Sequence, residues 1–282
     1  MGLRTWIYHK TGVNLKNKPI QKTFHKSKTL SRSIKKMADG SYEITLNKQP
    51  FLVPEHWFWP EFIDGWEEST WEFYNSYMKK GGTAIDIGSW IGPTLLFASV
   101  AGATKFLAIE ANPETYKLVN ELKNNNEYFS SLIIENAAIS NKEGQISFGN
   151  LDQSKATSSA SSTRGTGFLV NAETIQNVLA KHKIDDISVI KIDIEGSELE
   201  IVDQIIELKK YNAPILLSLH PPFWSQGIEN IFKIADHFEM FTPDNKPLSL
   251  DMLKSMVAYS EKEPPAWGTK FGNFFEIILK TK

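Results

Sequence analysis

Residues 83–92 read Thr-Ala-Ile-Asp-Ile-Gly-Ser-Trp-Ile-Gly, and residues 106–113 read Phe-Leu-Ala-Ile-Glu-Ala-Asn-Pro. An apolar strand runs into a glycine loop, a helical stretch follows, and a second apolar strand ends on a carboxylate. This order of elements is the first half of a ligand-binding α/β unit, in which ligands lie outside the carboxyl ends of parallel strands. It constrains the rest of the chain to continue strand and helix in alternation.

The sequence meets that constraint. From residue 81 onward the patterns predict strands at 83–87, 105–109, 131–136, 145–149, 187–193, 214–219 and 273–279. Helices are expected over 92–101, 113–126, 173–182, 197–209, 226–236 and 249–258. Several of the strands are almost continuously apolar, as strands buried on both faces of a parallel sheet are. The expectation is an α/β, doubly wound, seven-stranded sheet.

Upstream, residues 1–50 read as a leader with one short strand at 42–46, and residues 51–80 hold ten aromatic side chains between Phe51 and Tyr77. The second stretch suits a helical cap that is either purely structural or also a wall of the substrate cleft. The expected division is thus a basic leader and aromatic-rich cap over 1–80, and a catalytic domain over 81–282.

Residues 1–36 carry ten lysines and arginines and no acid, which leaves 21 basic against 33 acidic residues downstream. A basic arm on an acidic body is either a surface-packed leader or a contact for an anionic surface such as a membrane or acidic glycan. No recognition motif accompanies the charge, so nucleic acid is not the expected partner. The chain has no cysteine, which excludes disulfides and thiolate metal sites. No apolar run approaches the ~20 residues needed to span a bilayer, and no signal-peptide core follows Met1. Cytoplasmic location is the default expectation. The polar segment 154–167 is either a plain flexible insertion or a substrate lid.

The loop chemistry narrows the ligand. The spacing Asp86-x-Gly88-x-x-x-Gly92 lacks the Gly-x-Gly-x-x-Gly triple of a dinucleotide site. S-adenosylmethionine (SAM) has no phosphate and needs no phosphate cradle. Gly88 and Gly92 let a ligand approach the backbone, with Ser89 and Trp90 between them. Asp86 is placed to hold loop amides or the ligand's ammonium group, and Glu110 to accept from both ribose hydroxyls. Asn136, after the third strand, either reads an adenine edge or caps a turn.

Asp193 and Glu195 lie at the end of the strand 187–193, and His220 emerges from the end of 214–219. Carboxylates and an imidazole at one sheet edge suit a general base, a hydroxyl acceptor or a metal ligand. Glu198 reads as a helix cap.

Taken together, the Ile-Asp-Ile-Gly loop, Ile-Glu-Ala-Asn-Pro, Asn-Ala-Ala followed by Glu-Gly-Gln-Ile-Ser-Phe, and Ile-Lys-Ile-Asp-Ile-Glu-Gly-Ser-Glu resemble the FkbM-type methyltransferases over about residues 81–222. The resemblance implies a Rossmann-like class I methyltransferase fold whose last strand, near 273–279, is antiparallel. It also implies SAM as cofactor and transfer of a methyl group to a hydroxyl of a sugar, glycan or natural product. Asp86, Gly88, Gly92 and Glu110 match the family's cofactor positions, and Asp193, Glu195 and His220 match its polar cluster. Ser89 and Trp90 depart from the family's usual Ala-Asn, and Ala111 from a common proline. Trp90 is open to two readings, over the sulfonium or packed under the helix. A divalent metal bridging Asp193, Glu195 or His220 to a diol is a variant of the same chemistry. The alternatives are an NAD(P)-dependent oxidoreductase and a non-catalytic binding protein on this fold.

Overall fold

The structure, a computed structural model, describes residues 30–148, 168–224, 227–262 and 274–282. Residues 1–29 of the basic leader and the polar segment 154–167 lie outside the described residues.

The chain opens with a three-stranded antiparallel meander, β1 (Arg32–Lys36), β2 (Tyr42–Leu46) and β3 (Gln49–Val53). Asn47 and Lys48, both with positive φ, make the two-residue turn between β2 and β3, the backbone that tight hairpins require. The described end of the basic segment is therefore a strand. Arg32 is fixed within it, donating from Nη1 to the Phe62 and Trp66 carbonyls at 2.6 and 3.0 Å.

Two helices complete the cap, α1 (Trp59–Ile63) and α2 (Glu68–Tyr77). The chain then alternates through β4 (Thr83–Ile87), α3 (Pro93–Ala101), β5 (Lys105–Ile109), α4 (Pro113–Asn124) and β6 (Leu132–Glu135). Next come β7 (Ala138–Ile139), β8 (Gly144–Phe148), β9 (Phe168–Glu173), α5 (Ile175–Lys181) and β10 (Val189–Ile192). The last elements are α6 (Val202–Glu207), β11 (Ile215–Leu219), α7 (Ile234–His237), β12 (Phe238–Phe241), α8 (Leu250–Lys262) and β13 (Phe275–Thr281).

Seven strands form the central sheet in the order β12-β13-β11-β10-β4-β5-β6, with β13 antiparallel to both its neighbours. The seven-stranded sheet with an antiparallel last strand is as expected, but its membership differs. Residues 144–148 belong to a separate sheet, β7-β9-β8. The place is taken by β12, a four-residue edge strand in a stretch with no strong strand signal. The helix expected over 226–236 is a 3₁₀ turn, Ile228–Lys233, running into short α7. The start of the helix expected over 173–182 is the end of β9.

The parallel strands bury both faces. Ile85, Ile87, Ile190 and Ile192 join the core under α5 and α6, while Ala84, Phe106, Val189 and Leu216 join the core under the cap. Trp59, Phe62, Phe73 and Phe97 are fully buried there, each contributing about 1.5–3 kcal/mol relative to exposure. The cap is thus the cover of one sheet face, and it borders the carboxyl ends of the strands.

Candidate active site

The carboxyl ends of β4, β5, β6 and β10 surround a cleft that opens to solvent. Among the described residues its lining includes Gly88, Glu110, Ala111, Ala137, Ile139, Ile146, Phe148 and Ile194, and no lysine or arginine.

The loop after β4 is tightly determined. Gly88 and Ser89 donate to the Ile109 carbonyl at 2.9 and 3.2 Å. Gly88, Trp90 and Gly92 all have positive φ, 83°, 51° and 86°. A Cβ on Gly88 would collide with the carbonyl oxygen of Asp193, so this glycine is required by the neighbouring strand end as well as by any ligand. Gly92 ends the loop as the N-cap of α3, with Pro93 opening the helix, where proline is pre-organised.

Glu110 is 1% exposed and already engaged. Its Oε2 accepts from Trp90 N at 2.7 Å, and its Oε1 from Asn112 N at 2.8 Å and Thr115 Oγ1 at 2.9 Å. Burial pushes its carboxyl up to about 7, against the pull of those hydrogen bonds. Glu110 therefore clasps the loop while facing the cleft. Asn136 donates from Nδ2 to the carbonyls of Glu110 and Ala111 at 2.8 and 3.2 Å, bracing β5 from β6.

Asp86 lies below the loop, fully buried, and accepts from the Thr94 hydroxyl. Burial pushes its carboxyl up, opposed by Lys191. Asp86 Oδ1 and Ser89 Oγ are buried with no hydrogen-bond partner among the described residues. Orphaned polar atoms beside a cleft suit a ligand or ordered water. The Trp90 indole points away into the cap, 4.6 Å from the Phe58 ring and 5.3 Å from His56, centroid to centroid. Packing with the cap is the reading of Trp90 that this geometry favours.

The three candidate reactive residues converge. His220 Nε2 lies 3.6 Å from Asp193 Oδ1, and Lys191 Nζ bonds Asp193 Oδ2 at 2.7 Å. The Asp193 side chain is 21% exposed. Burial would raise its carboxyl, but Lys191 and His220 outweigh it and hold Asp193 below the usual carboxylate range. Glu195 follows with φ 49°, a left-handed conformation uncommon for a non-glycine residue. Burial opposes charge on His220, yet Glu198, Asp193 and Glu195 push it up to about 9. His220 is therefore an imidazolium at neutral pH.

Glu198 does more than cap a helix. It is fully buried, accepts from Gly196 N at 3.0 Å, pairs with His220 Nδ1 at 2.7 Å and accepts from Trp224 Nε1 at 2.9 Å. Its spacing three residues after Glu195 was the one available signal. Lys191 alternates with Asp193 and Glu195 along the strand, but nothing local shows that its ammonium pairs with Asp193. Among the described residues no group of three His, Asp or Glu side chains is arranged to hold a metal ion.

Residues 81–241 match the methyltransferase FkbM domain. The chain belongs to the FkbM methyltransferase family. SAM is accordingly its cofactor, which sets aside the dinucleotide alternative. Among the described residues the cleft is compatible with SAM: Ile139 and Ile146 offer apolar surface that would suit an adenine, Glu110 at the end of β5 stands where ribose hydroxyls would donate, and no lysine or arginine lines it for a phosphate. Among curated proteins none matches this chain significantly. Among solved structures, methyltransferase FkbM from Methylobacillus flagellatus KT is 13% identical with TM-score 0.42, the match covering 77% of this chain and 52% of that one. A TehB-like SAM-dependent methyltransferase from Corynebacterium glutamicum is 10% identical with TM-score 0.40, covering 79% and 94%. The chain therefore spans about half the length of the first of these, 52%. No helix among the described residues is long and apolar enough to cross a membrane.

Proposed function

We propose that this chain is an O-methyltransferase, with a hydroxyl of a sugar, glycan or natural product as acceptor and Asp193 as the group that takes the hydroxyl proton. The observation that carries the reading is the placement of Asp193. It stands partly exposed at the end of β10, next to cleft-lining Ile194, and is kept ionised by Lys191 at 2.7 Å.

When bound, SAM supplies a methyl group on a positively charged sulfur, so little further activation is needed. The protein's task is to place an oxygen in line with the S–CH₃ bond. The acceptor oxygen becomes strongly acidic as it gains the methyl group, so a weak base suffices. Asp193 is that base; His220, already protonated, holds and orients it from Nε2 while Glu198 fixes Nδ1. Cofactor contacts are assigned to Asp86, Gly88, Ser89, Gly92, Glu110 and Asn136, of which Gly88 and Glu110 line the cleft directly, while Trp90, with its indole packed into the cap, is left out of this set.

Labelled SAM incubated with a panel of sugar nucleotides, glycolipids and polyketides tests the acceptor class. Transfer to amines alone would reject O-methylation. Asp193→Asn should lower the transfer rate about 10²–10⁴-fold with SAM affinity little changed, and an unaltered rate would remove Asp193 from its role.

A further inference from the structure

Beneath the cap lies a cluster of polar groups in which Glu67, Thr70, Tyr74 and Glu276 have been given no part in the methyl transfer. Lys191 is opposite Asp86 and Leu216, and Ser218 is opposite Glu276, so these polar side chains from four neighbouring strands share one sheet face. Glu67, Thr70 and Tyr74 meet them from α2 and its N-cap, at the i, i+3, i+7 spacing of one helix face. Thr70 and Tyr74 are fully buried, Glu276 is 8% exposed and Glu67 is half-buried in the cap.

Thr70 Oγ1 lies 2.9 Å from Glu67 Oε2 and 3.2 Å from Glu276 Oε1, and Ser69 Oγ donates to Glu276 Oε2 at 3.0 Å. A hydroxyl carries one hydrogen and can serve one carboxylate. The second carboxylate then faces the hydroxyl's lone pairs, which is repulsive unless it carries a proton and donates to Thr70. Charge counting agrees. Lys191 is the cation common to Asp86, Asp193, Glu67 and Glu276, and it already bonds Asp193. Tyr74 stays neutral among them. Buried carboxyls without a cation of their own neutralise by taking up a proton. Burial indeed pushes Glu67 up to about 8 and moves Glu276 in the same direction.

We propose that Glu67 and Glu276 hold one proton between them through Thr70, that this bridge fastens the cap to the catalytic sheet over Lys191, and that Glu67 is thereby a positioning residue for Asp193. With the proton in place the pair carries one negative charge and Lys191 is committed to Asp193. When the proton leaves, a second charge competes for the same ammonium. The last step rests on the role given to Asp193 above; the bridge itself does not.

A carboxyl ¹³C NMR titration of the full chain, labelled at Asp and Glu, reads the proton with no methyl acceptor present, so its outcome is separate from that of the transfer assay. One glutamate signal should titrate with a midpoint near 8. Glu67→Gln should abolish it and Glu276→Gln should lower its midpoint by about one unit or more, whereas Thr70→Ser, which keeps the hydroxyl, should preserve it. The Asp193 signal should show a second small step at the same midpoint, absent in Glu67→Gln. If no glutamate other than Glu110, itself near 7, titrates above the ordinary range, or the midpoint near 8 is unmoved by Glu276→Gln, the shared proton is wrong. An Asp193 signal blind to the step would overturn the positioning role.

Discussion

Glu198 and His220 form a buried pair, with Glu198 Oε1 2.7 Å from His220 Nδ1, while the other carboxylate oxygen accepts the Trp224 indole N–H at 2.9 Å. One side chain thereby sets the orientation and charge of the imidazole that faces Asp193. Glu198→Gln cannot accept at both ends and carries no charge. His220, now near 9, should fall toward its ordinary 6.5, as read by imidazole NMR titration. Glu198→Ala leaves the imidazole Nδ1 and the indole N–H buried without their acceptor and should cost about 3–5 kcal/mol in urea unfolding.

Gly88 and Asp193 are coupled by sterics rather than charge. Adding a methyl group at a backbone with φ 83° would force it into the Asp193 carbonyl. Gly88→Ala should destabilise the fold by more than about 2 kcal/mol and weaken SAM binding, checked by thermal unfolding and calorimetry. A variant of wild-type stability would mean the two loops are not in contact.

The cofactor contact proposed for Glu110 predicts that SAM affinity depends on pH. Its carboxyl, raised to about 7, accepts from Trp90 N, Asn112 N and the Thr115 hydroxyl, and ribose hydroxyls would be further donors to the ionised form. SAM affinity measured calorimetrically should therefore weaken as pH falls through about 7. Glu110→Gln should weaken it about 10- to 100-fold and remove the pH dependence.

Residues with local signatures were legible in the sequence. β4, β5 and β11 stand within a residue of expectation, because continuous apolar runs closed by Gly88, Glu110 and His220 leave little freedom. Signals that depend on distant partners were not. Arg32 reads as part of a basic leader until Phe62 and Trp66 offer it carbonyls. Glu198 reads as a cap because the imidazole and indole it holds lie 22 and 26 residues away. The Thr70–Glu276 contact spans 206 residues, and no window of sequence contains it. Residues 144–148 have the alternation of a half-exposed strand, burial running from exposed Gly144 to buried Phe148, which fits the small antiparallel sheet better than the buried parallel one.

Stability should fall as pH rises from about 5 to about 9. Glu67 is raised from 4.5 to about 8, Glu110 from 4.5 to about 7, and His220 from 6.5 to about 9. In each case the folded state binds the proton more tightly than the unfolded state. The glutamate contributions are fully present below 4.5 and are lost as pH climbs through about 8 and about 7. The histidine contribution is complete below 6.5 and gone above about 9. Asp193 acts in the opposite sense and only at acid pH, where protonation removes its gain from Lys191 and His220. Urea midpoints across this range should decline in the wild type, and Glu67→Gln, fixed in the neutral form, should flatten the portion up to about 8. Midpoints that rose with pH would show that these buried groups are not protonated in the folded chain.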